Sequence, residues 1–331
     1  MKMLYYLRNA FCMFFAISFL HTPSFASTQD FPNQPIRLIV GFGEGGSCDR
    51  LARIMAPFLE ETLKVPIEII NKQGEGTKVA ASYVLEQPSD GYTIFVTTFT
   101  PYLAHTILAN EATYKIEDFD YINIQWFDND IIAVNHESPY HSLTELLTLM
   151  KNGEKKIKIA VMENSNGHLL LQLLLHHYNI SAQNIELHLF NNGKLAREAI
   201  TKKKVDMILV SSEGSEPIRE YLRALAVFSN ERLAQWDIPT VNEVVSPLGF
   251  QVPIFYGSIR GFAVSAQLKR DYPERYALLV QSFIKVLGKK EVQRILRTEK
   301  IGGAWTGPKK SNELMQKTFS SYEENAYLLR K

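Results

Sequence analysis

The sequence predicts a two-lobed α/β protein, with two doubly wound sheets joined by two crossings. Short apolar runs alternate with helix-patterned segments over residues 36–97, and the same strand, loop, helix order returns over 157–210. Between the two sets, residues 120–134 have strand character around a polar centre, Asp128-Asn129-Asp130, which suits a passage from one lobe to the other. After a proline-rich stretch (Pro239, Pro247, Pro253), residues 256–264 read as a second crossing strand. Strands that alternate with helices at this spacing call for a parallel sheet with crossover helices. At 331 residues the chain is also too long for one ordinary core.

In chain order, Lys2 and Arg8 precede an apolar segment over 10–20, followed by Pro23 and the small-residue site Ser24-Phe25-Ala26. This is the layout of a secretory signal peptide, so cleavage after Ala26 and export to the periplasm are expected, the alternative being a retained anchor. Cys12 lies inside the apolar segment, so the mature chain keeps only Cys48 and has no internal disulfide. No later segment is apolar and long enough to cross a bilayer. With 36 Lys+Arg against 35 Asp+Glu there is no global charge bias towards nucleic acid or an anionic membrane.

A strand over 36–40 runs into Gly41-Phe42-Gly43-Glu44-Gly45-Gly46-Ser47-Cys48-Asp49, then a helix over about 49–63, with Asp49 as N-cap or first-turn acid. Such a turn aims backbone N–H groups and a helix dipole at one spot and suits an anion. Strand 65–70, loop 71–76, helix 77–86, the turn Pro88-Ser89-Asp90-Gly91 and strand 92–97 complete the first set. The second set is strand 157–161, loop 162–167, helix 168–178, strand 185–190, loop 191–193, helix 194–202 and strand 205–210. Strand 223–228 follows, and helices near 275–287, 290–298 and 311–329 close the chain. Lobe I is expected over 27–126 and 254–331, and lobe II over 127–253, with loops at the strand ends lining a cleft between them.

Several chemistries compete for that cleft. Gly41, Gly43 and Gly46 fit a dinucleotide-binding G-x-G-x-x-G, but the next strand ends Ile69-Ile70-Asn71 without the acid that binds ribose hydroxyls, and an exported protein meets little soluble dinucleotide. His176 and His177 are adjacent on a helix and point to different faces, which is poor geometry for one metal; His136 and His141 have no ligand partners at suitable spacing. His168 opens a helix beside a cleft loop and could cap it or donate to a ligand. Cys48 near a helix N-terminus could be a nucleophile, although no histidine neighbours it in sequence and a lining role is preferred. Ser211-Ser212 lacks the glycines of a nucleophile elbow. No catalytic residue, metal or cofactor is expected.

The chain resembles the Bug/TctC family of periplasmic solute-binding proteins, receptors of tripartite tricarboxylate transporters. The likeness rests on the segment Phe31-Pro32-Asn33-Gln34-Pro35-Ile36-Arg37-Leu38-Ile39-Val40, on Gly45-Gly46 with Asp49, on Leu51-Ala52-Arg53 with Pro57 and Leu59, and on Asn71 with Gly74 and Gly76. It continues through Pro88-Ser89-Asp90-Gly91-Tyr92-Thr93, Gly167-His168-Leu169, Val205-Asp206-Met207 and Arg223-Ala224-Leu225-Ala226-Val227, then Asp237-Ile238-Pro239-Thr240 with Glu243, and Gly249-Phe250. The resemblance implies a type II periplasmic binding protein fold, a monomer that closes by a hinge on a small carboxylate without catalysis and serves membrane transporter subunits or a sensor. It also implies that loops of both lobes hold the carboxylate with backbone N–H groups, hydroxyls and water. The positions carried over are Gly45, Gly46 and Ser47, the loop 97–100 with Thr98 and Thr100, the loop 164–168 with Asn164, Ser165 and His168, then Asn191, Asn192 and Gly193, and Ser211.

The departures from the family are specific. Prolines are common in the family where this chain has Gly41, Gly43 and Glu44, and threonine where it has Cys48; Asn-Arg-Pro-Gly-Ala-Gly stands where it has Asn71-Lys72-Gln73-Gly74-Glu75-Gly76, and a Tyr-Lys-Gly-Gly type loop where it has Phe190-Asn191-Asn192-Gly193. Glu44 and Glu75 would place carboxylates at the cleft mouth, where one at about 4 Å repels an anion by about 1 kcal/mol in water. Either both face solvent, or the ligand is a zwitterion that carries a cation as well as a carboxylate. The other readings of the chain are an exported α/β enzyme using the same cleft through Cys48, and a diverged scaffold whose cleft is inactive.

Overall fold

The structure is a computed structural model that describes residues 31–109, 112–163, 165–190, 193–254 and 257–329. The expected signal peptide over 1–26, with Cys12, lies outside the described residues, and none of the described helices is long and apolar enough to cross a membrane.

Ten strands form two five-stranded sheets: β1 Ile36–Val40, β2 Ile67–Asn71, β3 Thr93–Thr100, β4 Phe119–Phe127, β5 Asp130–Asn135, β6 Ile157–Met162, β7 Ile185–Phe190, β8 Met207–Ser211, β9 Leu222–Val227 and β10 Ile259–Ser265. The first sheet has the order β2-β1-β3-β10-β4 and the second β7-β6-β8-β5-β9. Side chains alternate across each strand, so each sheet feeds two cores. Ile36, Leu38 and Val40 of β1 pack under the helices Ser47–Leu63 and Pro273–Leu287, while Ile39 of β1 and Phe95 and Phe99 of β3 face the helices Lys78–Glu86 and Gly307–Asn325. The second sheet repeats this, with Ile157, Ile159 and Val161 under the helices Leu143–Asn152 and Asn166–His177, and Ala160, Ile208 and Val210 on the opposite face. The helix Ser47–Leu63 forms because Leu51, Ala52, Met55, Leu59 and Leu63 recur at helical spacing and are buried.

The two-lobed α/β expectation is met, with one difference in the sheets. Each carries one antiparallel strand beside its parallel ones: β10 between β3 and β4, and β5 between β8 and β9. The reason lies in the route of the chain. The parallel strands run towards the cleft, the chain crosses there, and the arriving strand must run away from it. The crossings lie side by side: Asp128 N–H donates to Ser258 O at 3.1 Å, and a Cβ on Gly257 would stand 2.2 Å from Asp128 O, so only glycine fits. At the far end of the chain the helix Gly307–Asn325 starts against β4, but its Tyr322 joins the core of the second sheet and bonds with Asn166 Oδ1.

Candidate functional site

The glycine turn after β1 is held by its own side chains. Asp49, 1 % exposed in the first turn of the helix, accepts from Gly45 N–H at 2.8 Å, Arg53 Nε at 2.8 Å and Asn71 Nδ2 at 3.0 Å, and Asn71 also donates to Phe42 O at 2.9 Å. Burial alone would raise the Asp49 carboxyl, but these three donors hold it below its ordinary value. Asn71, at the strand end where a ribose-binding acid would stand, therefore ties down the turn. Gly46 N–H lies 3.3 Å from Gly43 O. The N–H groups of Gly45 and Gly46 are thus engaged within the turn itself.

Both glutamates of the mouth turn outwards. Glu44 is 81 % exposed in its side chain, 3.8 Å from Arg53, and Glu75 pairs with Lys78 at 2.8 Å. Cys48 is fully buried with Sγ 3.3 Å from Thr98 Oγ1; burial pushes its thiol up, although Arg260 and the Thr98 and Ser47 hydroxyls oppose this. That is the reverse of what activates a nucleophilic cysteine.

A guanidinium occupies the centre of the first lobe's cleft face. Arg260, the second residue of β10, is paired in register with Thr98 of β3 and is 8 % exposed. Its Nε donates to Ser47 Oγ at 3.0 Å, its Cζ lies 4.5 Å from the centre of the Trp126 ring, and its buried Nη1 has no hydrogen-bond partner among the described residues. A buried cationic donor with nothing to bond is costly, and it is a ready receiver for an anion. Thr100 Oγ1 reaches Gly257 O at 3.5 Å, so Ser47, Cys48, Thr98, Thr100 and Arg260 share one floor.

The second lobe presents acids and hydroxyls. Asp130, the first residue of β5 and 5 % exposed, is paired with Ser211 of β8 and accepts from Asn166 Nδ2 at 2.6 Å. Burial raises its carboxyl to about 6, with Asn166 opposing, Asp128 adding and Arg260 and Arg197 opposing. Ser211 Oγ accepts from Arg197 Nη2 at 3.0 Å, and Arg197 Nε donates to Ser215 Oγ at 3.1 Å. Gly193 and Gly214 make room for that guanidinium, since a Cβ would stand 2.7 Å from Nη1 at the first and 2.2 Å from Nη2 at the second. Ser165 caps the helix Asn166–His177 by accepting from His168 N–H at 3.1 Å, and the His168 ring lies 3.4 Å from Gln172. Asn164, Asn191 and Asn192 lie outside the described residues.

The lobes meet across this centre. Trp126 Nε1 donates to Glu213, Ser212 Oγ donates to Asp128 at 3.1 Å, and Tyr102 lies within electrostatic reach of Arg260, Asp130 and Cys48. Burial and then Asp128 raise Glu213 to about 7, against the Trp126 bond. Of the residues expected from the sequence, the structure brings Ser47, Cys48, Thr98 and Thr100 together on one side. On the other side Ser211 meets the neighbours of Gly193, while Ser165 and His168 stand at the helix start beside Asn166. Arg260, Asp130, Arg197, Trp126 and Tyr102 are not among the residues expected from the sequence. A charge at the head of an otherwise apolar strand, as in Asp130-Ile131-Ile132-Ala133-Val134, is the signal that marks the first two.

Residues 51–260 match the model of the tripartite tricarboxylate transporter family receptor. A UPF0065 protein of Bordetella pertussis is 28 % identical over 277 residues, covering 82 % of this chain and 84 % of its own. Among solved structures, a TctC solute binding protein from Polaromonas without ligand superposes with TM-score 0.72 at 21 % identity, over 90 % of this chain and 99 % of its own. MatC from Rhodopseudomonas palustris with bound malate superposes with TM-score 0.69 at 22 % identity, over 91 % and 100 %.

Proposed function

The chain belongs to the tripartite tricarboxylate transporter receptor family, and on that premise we propose that it is a periplasmic receptor that traps a small carboxylate between its lobes and presents the closed form to a membrane transporter. The observation that carries this reading is Arg260 Nη1, a buried cationic donor without a protein partner among the described residues, at the centre of the cleft. A carboxylate oxygen there would complete its bonding, and the hydroxyls of Ser47 and Thr98 stand beside Arg260 to share the load. The malate in a relative of the same fold supports a small organic acid as ligand.

The role assigned to the glycine turn changes in this reading. Gly45 and Gly46 shape and position Ser47, and the charge comes from Arg260. This reading has no use for Cys48 as a nucleophile, since its thiol is buried beside Thr98 and burial pushes it up.

A thermal-shift panel of mono-, di- and tricarboxylates, amino acids and sugars tests the proposal, because a ligand that binds only the folded state raises apparent stability by mass action. A rise for at least one carboxylate and none for sugars is expected, with the shift lost in Arg260→Gln and the ligand recovered chemically unchanged. A flat response to every carboxylate would remove the proposal.

A further inference from the structure

The two sheets are built alike, and in each the antiparallel strand begins at a crossing with a buried charge. In the first lobe that charge is Arg260 of β10, and in the second it is Asp130 of β5. They have opposite signs, feel each other electrostatically and form no ion pair with one another among the described residues.

The groups around them set what can lie between. Asp130 faces Asp128 from the crossing, Asn166 and Tyr322 from two helices, Tyr102 from the start of the short helix after β3, and the guanidiniums of Arg260 and Arg197. Arg197 already bonds Ser211 and Ser215. The centre therefore sets two guanidiniums, Arg260 and Arg197, beside three carboxyls, Asp128, Asp130 and Glu213, and Arg260 Nη1 is buried there with no partner among the described residues. A second carboxylate on the ligand would enter a region already rich in acids, where like charges repel more strongly than in water. A cationic nitrogen at Asp130 would be attracted there instead.

We propose that the ligand is a zwitterion of the amino-acid kind, with its carboxylate on Arg260 in the first lobe and its ammonium on Asp130 in the second. This rests on the carboxylate-receptor reading and narrows it to one class of substrate. Each end of the ligand then belongs to a different lobe, so the bound molecule bridges the two. Selectivity is set by one residue from each crossing.

Matched pairs differing only in the ammonium group test this by calorimetric titration of the purified protein: L-aspartate with succinate, L-glutamate with glutarate, L-leucine with 4-methylpentanoate and L-phenylalanine with 3-phenylpropanoate. At least one amino acid should bind about thirty-fold or more tightly than its partner, in line with loss of one side of a buried charge pair. Asp130→Asn keeps an acceptor for Asn166 and should erase that preference by weakening the amino acid, with the desamino acid bound at least as tightly as before; the wild-type pairs decide the matter even if the variant folds poorly. Desamino acids that bind as tightly as the amino acids would overturn the inference and leave the receptor reading standing. Binding by neither set would also overturn the inference, and the receptor reading would then stand or fall on the wider carboxylate panel.

Discussion

Asp130 and Glu213 are carboxyls whose native environment favours the neutral form, and burial is the main cause for both. A carboxyl with a raised native pKa keeps its proton in the folded chain after the unfolded chain has lost it. Its contribution to stability is therefore present below the unfolded value and is lost as pH climbs through the folded one. The windows run from 3.8 to about 6 for Asp130 and from 4.5 to about 7 for Glu213. The melting temperature of the ligand-free protein should carry a component that falls across this range. Asp130→Asn should flatten its lower part and Glu213→Gln its upper part. An unaltered pH profile in the double variant would contradict the assignment. Asp49 stands at the other extreme: its three donors keep it ionised, which is why one buried acid braces a turn while another can face a ligand.

At the scale of elements, the turn between β2 and the helix Lys78–Glu86 is a run of positive φ: Gly74 at 146°, Glu75 at 45°, Gly76 at 59° and Thr77 at 76°. Thr77 is β-branched, and its strained backbone places Oγ1 2.7 Å from Thr97 Oγ1, beside the floor of the site. Gly41 leaves room for this pair, since a Cβ there would stand 2.0 Å from Thr77 Oγ1. Glu75 is exposed, and among the described residues its side chain pairs with the half-buried Lys78. Replacing it with glycine should relieve left-handed strain and stabilise the protein by up to about 1 kcal/mol in denaturant unfolding; a clear loss of stability would show that the Lys78 pair outweighs the strain. The helix Leu143–Asn152 is legible in Ser142-Leu143-Thr144-Glu145 and Gly153, although it is absent from the elements expected above: Ser142 caps Glu145 N–H at 3.1 Å, and Gly153 ends the helix at φ 70°. The alternating strands are legible because apolar period and glycine turns are local signals. Arg260 as the receiving group is not, because its meaning depends on Trp126 and Ser47, which are distant in sequence.

For the whole molecule, the crossings at 128–129 and 257–258 are joined by a third connection, the C-terminal helix. Residues 254–331 are expected in the first lobe, and within them Tyr322 packs into the core beneath the second sheet. Its hydroxyl meets Asn166, which in turn holds Asp130, so the tail is linked to the acid proposed to receive the ammonium by two hydrogen bonds. Tyr322→Phe leaves Asn166 Oδ1 without that partner and should lower stability by about 1 kcal/mol. It should also weaken amino-acid binding more than binding of the matched desamino acid. Equal effects on both would place Tyr322 in the frame alone.

The side-by-side passage of the two crossings has a mechanical consequence. In a hinged body, points near the pivot travel least while the rims sweep through large arcs. Asp130 and Arg260 each stand at the start of a strand that leaves a crossing, so in the closure we propose they sit at the pivot, and their separation should change little as the jaws swing. The ligand's polarity would then be read on arrival, before the jaws shut, and association should be governed by the open form. The rims would add retention, so substitutions there should act on release and those at the pivot on choice.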